Sequence, residues 1–132
     1  MHKSPDPSDE ALLGDGLRRF SRLWEQHASQ ILSKRLEGAL SRVIRCEVAS
    51  GPALEILLSR TSVEVLNSSS RVAPHARIVM RAADWARVIS GESHVMAIVL
   101  AGRAPFPKDQ RRLLMQFSML FQTTMLTEGS PA

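Results

Sequence analysis

The apolar residues of this chain change their spacing twice, and that change limits the fold more than any single motif does. Leu13, Leu17, Phe20, Trp24, His27 and Ile31 recur every three or four positions and draw one stripe down a helix. Gly14 and Gly16 disfavour regular helix before that point, so the spacing predicts a start at Asp15, a suitable N-cap, and an end near Gly38. The period then falls to two. Ile44, Cys46 and Val48 alternate with Val43, Arg45 and Glu47, and Leu54, Ile56 and Leu58 alternate with Ala53, Glu55 and Leu57. Val63 and Val65 continue the pattern, with Ser50, Gly51 and Pro52 and then Ser59 and Arg60 supplying the turns. This predicts a three-stranded antiparallel meander, a polar loop over 67–74 and a fourth strand through Ile78 and Met80.

Helical spacing returns at Ala82. Trp85, Val88 and Ile89 share a face that Gly91 closes, and Ser93 is positioned to cap a second short helix ended by Gly102. Residues 104–106 read as a fifth strand, held to a sheet edge by Pro105 and Pro107. A last helix over 108–126 carries Leu113, Phe117, Leu120 and Phe121, widened by Leu114, Met115, Met119 and Met125. These elements define an α+β class: a first helix and a twisted, mostly antiparallel five-stranded sheet covered by helices. Residues 1–14 read as a disordered tail, 15–127 as one domain and 128–132 as a flexible terminus.

Charge and cysteine content narrow the function classes. The chain has 132 residues and a net charge of +4. Residues 1–15 hold Lys3 against Asp6, Asp9, Glu10 and Asp15, about −3, which leaves about +7 on the rest. Such a body attracts anions, but it lacks the clustered aromatic residues and motifs of a nucleic-acid binder. Cys46 is the single cysteine, which excludes an intrachain disulfide and suits a reducing cytoplasm. The polar, acidic start is unlike a secretory signal, and the longest apolar run, 95–101, is far short of a bilayer span. A cytoplasmic location with peripheral membrane contact is the expectation.

The element order resembles that of the sterol carrier protein type 2 family. The likeness rests on an extended segment (Ala76, Arg77, Ile78, Val79, Met80), a short helix that begins near Asp84 and Trp85 and ends at Gly91, an apolar helix, and then Gly102 and Arg103. Asp109 matches an aspartate that precedes the closing helix, while Lys108 stands where the family has glycine. The alternating strand before it is reduced to Ala104, Pro105, Phe106 and Pro107. The likeness covers about residues 36–121 and extends to small bacterial members that act as accessory factors in ubiquinone biosynthesis. It implies non-catalytic binding of a sterol, fatty acyl chain or polyprenyl quinone intermediate in an apolar cavity. On that reading the cavity is lined by Ile56, Ile78, Met80, Trp85, Val88, Ile89, Met96, Val99, Leu100, Phe106, Leu113, Phe117, Leu120 and Phe121.

The residues themselves add two features. Methionine is unbranched and adaptable, and Met96, Met115, Met119 and Met125 lie on segments expected to cover the sheet. The apolar stripe of the last helix is wider than surface packing requires, and Arg111 and Arg112 precede it, a pair placed to hold lipid phosphates at a membrane surface. Catalytic signals are weak. Cys46 sits at a core strand position, His27, His75 and His94 lack metal-ligand spacing, and 68–70 has turn composition without a nucleophile elbow. No catalytic residue, metal or cofactor is expected. The competing reading is an interaction subunit with a filled core, oligomerising through the first helix with Phe20 and Trp24 as anchors. An enzyme partner also fits an accessory role.

Overall fold

The computed structural model describes residues 7–67 and 73–129, and the fold follows the two changes of period closely. Helix α1 (Pro7–Ile31) leads through a 3-10 turn (Lys34–Ala39) into strands β1 (Val43–Val48), β2 (Ala53–Leu58), β3 (Val63–Asn67) and β4 (Ala76–Met80). Helices α2 (Ala82–Ile89), α3 (Val95–Leu100) and α4 (Arg111–Leu126) complete it.

Among the described residues the sheet has four strands in the order β3-β2-β1-β4. The meander is antiparallel, with Ile44 opposite Ile56 and Ile56 opposite Val65. Strand β4 returns beside β1 in parallel, with Cys46 opposite Ile78, so the sheet is mixed. Residues 104–106, expected as a fifth strand, form none: two prolines in four residues remove the amide donors a ladder needs. Edge β4 is closed differently, since the Arg77 amide donates to Gln110 Oε1 (3.1 Å), just ahead of α4.

Alternation along the strands sorts the sheet into two faces. Ile44, Cys46, Ile56, Leu58, Ala76, Ile78 and Met80 are buried, while Arg45, Glu47 and Arg77 lie on the other face. There Glu47 is paired by Arg45 Nε (2.6 Å) and Arg77 Nη2 (2.8 Å). Helices α1 and α4 pack together on the apolar face, and Phe20 meets Phe117 edge-on at 5.9 Å and Phe121 at 4.7 Å.

Helix α1 begins at Pro7, ahead of the start at Asp15 that its glycines suggested, so residues 7–14 are helical rather than tail. Proline suits a first turn, and Asp9 and Glu10 favour the positive end of the helix dipole. Gly16 is there for packing: a Cβ would lie 2.4 Å from Ile89 Cδ1, so its absence lets α1 approach α2. The rest of the expected tail (1–6), the serines 68–70 and the end 130–132 lie outside the described residues.

Two local expectations change. Helix α3 is capped by His94 rather than Ser93, its Nδ1 accepting from the Ala97 amide (3.2 Å). The stripe of α1 faces inward: Leu13, Leu17, Phe20 and Trp24 are fully buried, and Trp24 Nε1 donates to the Ser59 carbonyl (2.8 Å). Phe20 and Trp24 are therefore core residues, not anchors for another copy.

Candidate functional site

The fourteen residues expected to line a cavity separate into three groups. Ile56, Ile78, Met80, Trp85, Val88, Ile89, Val99, Phe117, Leu120 and Phe121 belong to the buried core. Met96, Phe106 and Leu113 are half-buried against it, and Leu100 is 79% exposed. Ile56, Phe117 and Leu120 have no accessible surface, so they face neither solvent nor a void large enough for water. In this conformation the interior is filled by its own side chains, and Trp85 is held in place by its Nε1 donating to the Glu47 carbonyl (2.7 Å).

Open space lies on the outer side of α4. A groove of about 480 Å³ is lined by Arg35, Leu36, Arg111, Arg112, Met115, Gln116 and Met119. It exists because α4 is apolar on two faces. Its inner face places Leu114, Phe117, Leu120, Phe121 and Met125 in the core. Its outer face leaves Met115 50% and Met119 46% exposed, a residue pair one helical turn apart. Arg111 at the head of the helix stacks over the Phe106 ring at 5.2 Å.

A second pocket, of about 460 Å³, adjoins this groove through Arg112 and Gln116. Its other walls are Lys34, Gly38, Arg42, His75, Asp109 and Leu113. Gln116 joins the two: its Nε2 donates to the Arg35 carbonyl (3.0 Å), and it passes so close to Gly38 that a Cβ there would lie 2.7 Å from its amide. His75 is fixed from the other side, because its Nδ1 accepts the Val43 amide (3.0 Å), which leaves the proton of the neutral ring on Nε2. Lys34, Arg42 and Arg112 form no ion pair with another described residue. Of the fourteen expected residues, Leu113 borders this pocket.

Two buried groups of types used in catalysis, Cys46 and Asp84, sit in structural surroundings. Cys46 is fully buried; burial first, and the neighbouring Glu47 carboxylate second, push its thiol far above the ordinary range, so no nucleophilic thiolate is available. Asp84, also buried, is paired by Arg103 Nη2 at 3.3 Å. Among the described residues no group of three or more His, Cys, Asp or Glu is placed to hold a metal ion, and no helix is long and apolar enough to cross a membrane.

The overall course of the chain, a helix laid across a mixed four-stranded sheet with the last helix closing the same face, superposes on solved structures of sterol carrier protein type 2 (SCP2) domains. The UbiJ-SCP2 ubiquinone synthesis protein superposes with a TM-score of 0.56 over 87% of this chain and 97% of its own, at 18% identity. The sterol carrier protein domain 2 of Helicoverpa armigera does so with a TM-score of 0.61 over 99% and 98%, at 15% identity. No protein-family profile and no curated protein sequence matches the chain. The fold is therefore SCP2-like, recognisable in three dimensions at identities where sequence comparison is silent.

Proposed function

We propose that this protein is a lipid-handling accessory factor without chemistry of its own, one domain spanning residues 7–127, and that α4 is the element through which it meets its lipid. The observation that carries the reading is the second apolar face of α4. Met115 and Met119 are not consumed by the core, and exposed adaptable apolar side chains flanked by cations suit a greasy guest. The fold shared with a sterol carrier domain supports the same reading. The likeness to a ubiquinone synthesis protein favours a polyprenylated quinone intermediate as the guest, held while a partner enzyme acts on it in the cytoplasm. Arg111 and Arg112 stand where they would meet anionic lipid during loading. Uptake into the interior requires α4 to swing away from Phe20. The fourteen residues named above, apart from the exposed Leu100, would then become the walls of the chamber that opens.

Native mass spectrometry of the purified protein tests this directly. A copurified lipid, or uptake of an added polyprenyl quinone that falls in a Met115→Gln/Met119→Gln variant, is the expected result. Repeated failure to retain or take up any apolar chain overturns it. The filled interior favours one other reading, a protein-interaction subunit that uses the same outer face. That reading expects a concentration-dependent increase in mass by light scattering, lost in the same double variant, with no lipid bound.

A further inference from the structure

The pocket beside the α4 groove has a chemistry that a purely apolar guest would not use. Three cations, Lys34, Arg42 and Arg112, face it against one carboxylate, Asp109, and none of the three is paired with another described residue. These cations come from three separate parts of the chain: the 3-10 turn, the approach to β1 and the first turn of α4. Eight other arginines form ion pairs, as Arg77 does with Glu47 and Arg103 with Asp84, while Arg35, Arg87 and Arg111 form none with a described residue. His75 adds a directed donor, since the Val43 amide occupies its Nδ1 and the ring proton sits on Nε2. A guanidinium fork, an ammonium and an imidazole N–H together match the oxygens of a carboxylate or phosphate. Arg112 and Gln116 line both this pocket and the apolar groove, so the two adjoin.

We infer that the two form a single site for one dissolved amphiphile, with its anionic head among Lys34, Arg42, His75 and Arg112 and its apolar chain along Leu36, Met115 and Met119. The inference rests on the lipid-handling reading for its apolar half and adds the head chemistry and the place. Charge complementarity selects the occupant. A neutral chain leaves three like charges facing one another, and a free inorganic anion leaves the methionines bare. The combined space of the pocket and groove suits a small ligand with a short chain.

The test compares decanoate, decyl phosphate and decanol, which share a chain length and differ in head, by titration calorimetry on the full chain. Inorganic phosphate and vesicles of anionic lipid serve as further arms. Charge-assisted hydrogen bonds predict that at least one anionic amphiphile binds about tenfold or more tightly than decanol. A Lys34→Gln/Arg42→Gln/Arg112→Gln variant should lose that preference yet still bind decanol, and added salt should shrink it. Amide resonances of Gly38, His75 and Gln116 should shift on binding. Equal affinity for decanoate, decyl phosphate and decanol overturns the inference, as does a preference that survives the triple variant. Inorganic phosphate binding as tightly as decyl phosphate, or binding to vesicles alone, also overturns it. Equal binding with shifts confined to Phe117 and its neighbours overturns this site while leaving the lipid-handling reading standing. Failure of every apolar chain to bind overturns that reading as well.

Discussion

Helix α4 presents two apolar faces that differ in what surrounds them. On the inner face, Phe117 touches Phe121 at 5.6 Å and Phe20 at 5.9 Å and has no contact with water. On the outer face, Met115 and Met119 line an open groove. The first set is explained by folding, because removing apolar surface from water is the main favourable contribution to stability in a domain of this size. The second set stays half in water, and it is the set that the proposed lipid contact uses. The side-chain types follow the same division: rigid rings where one packed arrangement must be specified, flexible thioethers where the shape of the guest is not fixed in advance.

The difference can be measured, and the largest effect belongs to the inner face. Phe117→Ala should cost about 3–5 kcal/mol in urea unfolding, because the emptied space is walled by other aromatic rings and collapses poorly. A cost below about 1 kcal/mol would mean that the interior is loose and already able to admit a guest.

Cys46 gives a second measure of the same interior. Its thiol stays protonated in the fold while the unfolded chain releases that proton near pH 9.0, its ordinary value. The folded state then binds more protons, so stability is complete below that pH and falls above it. The slope contributed is about 1.4 kcal/mol per pH unit, and Cys46→Ala should remove it while its own cavity lowers stability at every pH. The thiol should also resist alkylation until the protein unfolds; rapid labelling of the native state would show an interior that opens.

The smallest effect belongs to the outer face. Met119→Gln should change stability by no more than about 0.5 kcal/mol, since a half-exposed side chain loses little on exchange. Lipid uptake, not unfolding, is where that substitution should register. A large loss of stability would merge the two faces into one core and remove the argument for a partner.

The strands were legible because alternation on a half-buried sheet depends on local sequence: Ile44, Cys46 and Val48 all face the core as their spacing predicts. The start of α1 was not, because Gly16 answers to Ile89, which lies far along the chain. The fifth strand failed for a related reason. A segment such as 104–106 can carry apolar residues at strand spacing and still lack the donors that make a strand. Leu113 and the Arg111, Arg112 pair were visible as the start of an over-wide helix. The rest of the cationic pocket was not, since Lys34, Arg42, His75 and Arg112 come from four separate segments of the chain and no local pattern joins them. The filled interior was equally hidden: an apolar list is the same whether its members line a chamber or fill it.

The bond from the Arg77 amide to Gln110 has a consequence for how this molecule can associate. Arg77 stands near the start of the outer margin formed by β4, where an incoming extended peptide would meet the backbone. A side chain already sits there, so growth of the sheet from that border into ribbons of stacked copies is obstructed at the step that would seed it. Contacts along that border are thereby left to side-chain chemistry.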